Sequence, residues 1–281
     1  IDSDYPNPST EFGIQTEGTT YGRFDTQVTA NTTYKRYNYQ HTHWLSTHFN
    51  GTSQFAKKDV ANFQSSNDRG TIFAWINLDA ISASTIFTSM DTAGGGSHYD
   101  WLYVRINGSG KLDITTRYND GTQSPGASSL SVPTLSAGEW YSVAVVADGT
   151  NNWDLYINGS VVETTTVGAS GENGNWFSDL TSTDNITIGA YNYGGGAGDY
   201  FDGRISQVAV FGGSSGTDGV LTAAQIGAMH VLGPGADLTT SYSTNMVGYW
   251  TFGNKTDEGT DTASTLYDQS SGSDDDMSFV G

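Results

Sequence analysis

The sequence contains no cysteine in 281 residues. That excludes a disulfide framework, a thiolate nucleophile and any cysteine-based metal site. Basic residues are also scarce: 11 Lys and Arg stand against 30 Asp and Glu, for a formal net charge of −19. Nucleic acid is excluded as a partner, because phosphate contacts are made by Lys and Arg. An anionic membrane surface is disfavoured on the same ground. No apolar run approaches the ~20 residues that a membrane span requires, so membrane insertion is not expected. No stretch reads as a signal peptide, and a chain that begins at Ile1 is expected to have lost its natural start.

What is abundant points to one class of fold. Glycine occurs 36 times and proline only 5, and there are 16 Tyr, 12 Phe and 7 Trp. Aromatic residues favour strands, and Gly, Asn and Ser favour the turns between them. The pattern along the chain agrees. "GTIFAWINL" (70–78) is an almost continuous apolar run, as in a strand buried on both faces. "WLYVRINGSGKLDITTRY" (101–118) reads as two strands about a turn at 107–110, and "WYSVAVVADGTNNWDLYINGSVVETTTV" (140–167) as three strands turning near Asp148-Gly149 and Asn158-Gly159. "DNITIGAY" (184–191) and "FDGRISQVAVF" (201–211) add two more, and "HWLSTHFNGTSQFAKK" is expected to form a hairpin at Asn50-Gly51. In "VLTAAQIGAMHVLG" (220–233), Thr222 and Gln225 form a capping box and Leu221 and Ile226 a hydrophobic staple. Ile226 and Met229 share one face and Gly233 suits a C-cap, so a short helix is expected near 222–230. Residues 1–42 carry little apolar periodicity and read as an extended arm or edge strands. Residues 234–281 contain a strand at 247–252 that should return to the sandwich, followed by an acidic tail.

The ordered set "FNGTSQFAKK", "GTIFAWINL", "GEWYSVAVVADGTNNWDLYINGSVV", "ITIGAY", "YFDGRISQVAVF" and "LTAAQIGAMHVLG" resembles the laminin-G-like domains of the concanavalin A-like lectin/glucanase superfamily over residues 43–233. The resemblance implies an all-β, concanavalin A-like jelly-roll sandwich of two antiparallel sheets. The C-terminal "GADLTTSYSTNMVGYWTFGN…LYDQSSGSDDDMSFVG" is similar to a tail found in structural proteins of marine bacteriophages. Tyr249-Trp250 and Asp268–Gly272 match that tail in part, while Asp274–Asp276 depart from its usual Asn/Gly turn.

The glycine-rich "AYNYGGGAGDYFDG" (190–203) raises a question of chemistry. A phosphate cradle needs a Gly-rich turn that opens a helix and carries Lys and Ser or Thr. Here Asp199, Tyr200 and a strand follow, and the carboxylates of Asp199 and Asp202 would repel phosphate. The stretch is instead expected to be a strand-to-strand loop at the rim of the sandwich. A second loop of the same character, "SMDTAGGGSHYDWL" (89–102), would share that rim. Together they offer Asp91, His98, Tyr99, Trp101, Tyr191, Tyr193, Asp199 and Tyr200 as candidate carbohydrate-binding residues. Rings stack on apolar sugar faces, and carboxylates accept hydroxyl protons. The alternative is a set of exposed loops whose aromatics pack locally.

Calcium, the one cofactor considered, follows from the superfamily, and hard oxygen ligands suit it. Asp268, Ser270 and Asp274 stand at spacings like those of a calcium loop, without the distal Glu of an EF-hand. Asp91, Asp100, Asp199 and Asp202 are further candidates. Of the clustered His41, His43 and His48, His41 and His43 would share a strand face, and without a third convergent ligand they are read as a surface strand. No catalytic residues are assigned. Glycoside hydrolases need two carboxylates about the scissile bond, and no Glu here lies two residues from another carboxylate. Arg105 and Arg117 with Tyr103, Tyr118 and His98 come nearest to the Arg/His/Tyr set of polysaccharide lyases, without matching it.

These readings imply a non-enzymatic virion or cell-surface decoration protein with an adhesion module for cell-surface glycans. The alternatives are a soluble calcium-dependent lectin and a glycoside hydrolase or lyase relative. The location expected is extracellular or on a virion surface. Neighbouring subunits or capsid and tail proteins would dock through residues 1–42, since an extended segment adds a strand to an open sheet edge. Deleting residues 1–42 should leave a folded sandwich and abolish self-association or docking, measured by circular dichroism and size-exclusion chromatography. A deletion variant with unchanged association would exclude the arm from that role.

Overall fold

The computed structural model describes residues 46–92, 100–118, 125–129, 134–150, 152–168, 174–194, 196–252, 264–271 and 275–281. The expected arm, residues 1–42, lies outside them. Among the described residues, two antiparallel sheets carry the fold. The first contains β1 (Thr47–Asn50), β3 (Arg69–Leu78), β8 (Trp140–Ala147), β9 (Trp153–Ile157), β10 (Ser160–Val162), β15 (Asp202–Gly213) and β16 (Met246–Trp250). Its order is β1-β15-β3-β8-β9-β10, and β16 pairs with the far half of β15. The second contains β2 (Phe55–Asp59), β4 (Ser84–Met90), β5 (Trp101–Ile106), β6 (Leu112–Arg117), β7 (Pro125–Ser129), β11 (Thr164–Gly168), β12 (Asn185–Ile188), β17 (Thr265–Leu266) and β18 (Met277–Val280). Its order is β11-β7-β6-β5-β4-β12-β2-β18-β17. A separate small hairpin joins β13 (Tyr191–Tyr193) to β14 (Gly196–Gly198).

Side chains alternate across a strand, and the two faces of the first sheet are buried against different neighbours. Ile72, Ala74, Ile76 and Leu78 of β3 join Val143, Val145, Val208, Val210 and Trp250 in the core between the sheets, facing Leu102, Val104, Ile114 and Ile186 of the second sheet. Phe73 and Trp75 of the same strand pack on the outer side with Phe211, Ile226, Met229 and Tyr249. This is why "GTIFAWINL" is apolar without alternation.

The outer layer is supplied by α1 (Ala223–Leu232) and by the short α2 (Thr239–Tyr242). At the N-terminus of α1 the Thr222 hydroxyl accepts the Gln225 amide at 3.3 Å, and the Gln225 side chain accepts the Thr222 amide at 2.9 Å. The expected capping box is therefore formed, and Ile226 and Met229 are the buried face. No described helix is long and apolar enough to cross a membrane.

One expectation is overturned. β1 and β2 are not a hairpin: β1 pairs with β15, whereas β2 lies in the other sheet between β12 and β18. The Asn50-Gly51 turn exists, with Gly51 at φ +68° and the Asn50 side chain accepting the Thr52, Ser53 and Gln54 amides, but it carries the chain from one sheet to the other. The turn chemistry was legible. The partner of each strand was not, because a crossing between sheets uses the same residues as a hairpin. Likewise, of the run 140–167, the strands β8, β9 and β10 stay in the first sheet and β11 passes to the second.

The C-terminal segment is integral to the sandwich. Trp250 of β16 is fully buried between the sheets, and its indole donates to the Asp275 carbonyl at 3.0 Å. Beyond the acidic residues, Met277–Val280 forms β18 and pairs with β2. Trp250→Ala should therefore cost about 3–5 kcal/mol, as for other buried tryptophans. Thr222→Ala should cost about 1 kcal/mol, the loss of one N-cap. Guanidinium unfolding midpoints would check the ratio, and equal shifts would contradict this account of the core.

Candidate functional site

Burial of Leu102, Val104 and Ile106 in the core leaves Trp101, Tyr103 and Arg105 on the opposite face of β5. The register sets their neighbours. Trp101 lies between Met90 of β4 and Arg117 of β6, Tyr103 between Thr88 and Thr115, and Arg105 between Thr85 and Asp113. The β13–β14 hairpin folds over this face. Tyr193 meets Trp101 edge-to-face with ring centroids 5.3 Å apart, and Tyr191 meets Tyr103 in the same way at 6.1 Å. Met90, Trp101, Tyr103, Tyr191 and Tyr193 together line a cavity of about 110 Å³. Met90 and Tyr103 are buried, and the other three rings are half-buried.

The last glycine of "YNYGGGAG" has a local purpose. Gly198 is registered opposite Tyr191, and a Cβ there would collide with the Tyr191 ring and hydroxyl. The bare backbone lets the tyrosine lie across the hairpin. The stretch is thus neither a phosphate cradle nor a plain rim loop.

Asp199 fastens this hairpin to the sheet. Its carboxylate accepts the Tyr103 hydroxyl at 2.6 Å and Arg105 Nη1 at 3.0 Å. Its carbonyl accepts the Thr85 amide at 2.9 Å and the Thr85 hydroxyl at 2.8 Å. The backbone of Asp199 stands at φ +43°. That conformation costs a non-glycine residue roughly 1–2 kcal/mol, which the four contacts offset. On its other side Arg105 Nε lies 3.6 Å from Asp113, and Asp113 accepts both 3.0 Å contacts of the Asn107 amide. The Arg105 guanidinium also stacks 5.0 Å from the centre of the Tyr103 ring, as Arg117 does on Trp101. Burial, and then the hydrogen bond to the Asp199 carboxylate, push the Tyr103 hydroxyl well above the usual tyrosine range.

Of the candidate sugar residues, the structure unites Trp101, Tyr191, Tyr193 and Asp199. Tyr200 packs instead on Phe55 at 6.2 Å. Asp91 is buried at the end of β4. Asp100 is buried too, its carboxylate accepting the Thr181 amide at 2.6 Å. His98 and Tyr99 lie outside the described residues. Sequence reasoning missed Met90 as part of the floor and placed Tyr103 and Arg105 only in a lyase comparison. Strand parity from Trp101 would have added both.

Of the candidate calcium ligands, Asp268 accepts the Tyr249 amide at 2.8 Å and the Ser270 amide at 2.9 Å, and the Ser270 hydroxyl reaches its second oxygen at 3.0 Å. These contacts tie the C-terminal segment to β16. Asp274 lies outside the described residues. Among the described residues no three His, Asp or Glu side chains gather as a metal site would require. His48 pairs with Asp79 at 2.7 Å, while His41 and His43 lie outside the described residues. Of the lyase-like set, Tyr103, Arg105 and Arg117 share the outer face, whereas Tyr118 packs against the core.

The fold and this placement of strands agree with the sequence comparison. A family model of the concanavalin A-like lectin/glucanases superfamily, of the laminin-G type, matches residues 49–227. The chain belongs to that superfamily. The carbohydrate-binding module CBM40 of the Ruminococcus gnavus IT-sialidase, solved bound to α2,3-sialyllactose, superposes with a TM-score of 0.51 at 18% identity, covering 66% of this chain and 98% of that one. The leech intramolecular trans-sialidase complexed with 2,7-anhydro-Neu5Ac gives a TM-score of 0.48 at 22% identity, covering 66% of this chain and 28% of that one. At such identities the likeness is one of fold. No curated protein sequence matches the chain.

Tyr103 provides a test of the clamp. A group whose folded pKa is raised contributes stability below its unfolded pKa, near 10 for tyrosine, and loses it as pH rises. Tyr103→Phe should therefore be less stable than the wild type at pH 8, and that gap should narrow at pH 11. Urea midpoints at the two pH values would measure it; a constant gap would remove the hydroxyl from the clamp.

Proposed function

We propose that this chain is a carbohydrate-binding module and that its sugar site is the aromatic cavity on the outer face of the second sheet. One observation carries the reading: Trp101, Tyr191 and Tyr193 stand half-buried around an open cavity, beside the polar Arg105–Asp199–Asp113 group. Pockets of this kind, mostly apolar with a few fixed polar groups, are where small ligands bind. The superfamily and the sheet architecture support it, and the wider setting is argued by analogy with other members of the fold.

We propose binding without cleavage. Glycosidase chemistry requires one carboxylate as acid and another as base or nucleophile. The two described on this face, Asp113 and Asp199, both pair with the Arg105 guanidinium. The setting we propose is extracellular, at a virion or cell surface, with residues 1–42 docking to a neighbouring subunit or to capsid and tail proteins. That part rests on the resemblance of residues 235–281, read from the sequence, to the tail of marine phage proteins. Calcium is retained as a proposal through Asp268, Ser270 and Asp274.

A glycan array that includes sialyllactose, probed with calcium and then with EDTA, tests the module directly. Trp101→Ala and Tyr193→Ala should each weaken binding at least about tenfold, since one stacked ring is worth ~1.4 kcal/mol or more, with the sandwich still folded by circular dichroism. Binding that survives both substitutions would move the site elsewhere. Signals that persist in EDTA would remove calcium from recognition.

A further inference from the structure

The cavity is more selective than an aromatic platform. A platform offers one flat ring to a sugar face. Here Met90 and Tyr103 form a buried floor, and Trp101, Tyr191 and Tyr193 stand around it as walls, with two ring pairs at 80° and 82°. Rings set nearly at right angles line a small recess rather than a plane. A whole pyranose ring would need a flat face to stack on, and an open cavity of about 110 Å³ lined by two nearly perpendicular ring pairs suits a substituent better.

The polarity of the walls is equally restrictive. The floor hydroxyl, that of Tyr103, is already donated to Asp199. Arg105 is paired with Asp113 and Asp199, and it is not among the residues that line the cavity. The Met90 thioether is at most a weak acceptor. A hydroxymethyl group entering here would give up water without regaining equivalent partners, whereas a methyl group would gain dispersion contacts with the rings and with Met90.

We infer that this cavity is a subsite for a methyl-bearing substituent of the glycan, such as the methyl of an acetamido group or of a 6-deoxy sugar. The inference rests on the carbohydrate-binding reading and names the substrate class for that site. The glycan ring sits at the mouth, where the half-buried edges of Trp101, Tyr191 and Tyr193 are exposed to it. Gly198 is part of the device, because it lets Tyr191 lie across the hairpin and close one wall.

Two matched pairs of sugars test this by NMR titration or calorimetry on the full chain. N-acetylglucosamine and N-glycolylglucosamine differ by one hydroxyl on the acyl methyl, and L-fucose and L-galactose by one hydroxyl on the C6 methyl. The methyl member of at least one pair should bind about tenfold tighter or more, and which pair responds separates the acetamido from the deoxy source. Met90→Gln, which keeps the length of the side chain but makes the floor polar, should reduce that preference to about twofold or less. Gly198→Ala should weaken the methyl member by displacing Tyr191. Equal affinity within both pairs, with binding still lost in Trp101→Ala, overturns the subsite and leaves the module standing. Absence of binding by all four sugars, together with a silent glycan array, overturns both.

Discussion

Leu102, Val104 and Ile106 are fully buried between the two sheets, and that burial dictates everything on the other side of β5. Because the side-chain period of a strand is two, a slip of one residue would put three aliphatic side chains in water and force Trp101, Tyr103 and Arg105 into the core. The cost of such a slip is several buried side chains at roughly 1.5–3 kcal/mol each. The candidate site inherits its rigidity from that constraint. Its floor residues, Met90 and Tyr103, sit on neighbouring paired strands rather than on loops, so their spacing is set by the hydrogen-bonded ladder.

The second constraint is the attachment of the hairpin. Among the described strands β13 and β14 pair only with each other, and a two-stranded hairpin alone is marginal. Asp199 supplies the missing anchorage through Tyr103, Arg105 and Thr85. The carboxylate read from the sequence as a sugar acceptor also holds Tyr191 and Tyr193 over the sheet. Arg105 carries a double role, since it pairs with Asp113 on β6 as well. Ionic contacts of this kind are worth little when solvated, and their value here is geometric: they fix where the rings stand.

The acidity of the chain has a local counterpart in the way its carboxylates are used. Asp100, Asp184 and Asp268 each accept backbone or hydroxyl donors from a neighbouring segment, and thereby close loops at the sheet ends. For Asp184, burial alone would raise the pKa, but the Thr92 hydroxyl and amide and the Asn185 side chain outweigh it and hold the carboxyl below the usual range. Acidic residues that suggest ligand contacts in the sequence thus serve in part as connectors.

Local signals were legible in the residues themselves. The apolar runs of β3 and β8, the Asn-Gly and Asp-Gly turns, and the Thr222–Gln225 cap of α1 depend on neighbours within a few positions, and all of them form. The aromatic candidates Trp101, Tyr191 and Tyr193 were legible for the same reason, as rings flanking glycines. What the sequence could not determine was pairing. The passage of the chain between sheets at Asn50-Gly51, the return of β18 to β2, and the meeting of Met90 with Tyr193 all join residues far apart in the chain. Nor could it show that Asp199 pairs with Arg105 and Tyr103, which lie 94 and 96 residues away. Turn chemistry is written in adjacent residues, but the choice of strand partner depends on which faces are buried together, and that is decided only when the two sheets close over a shared core.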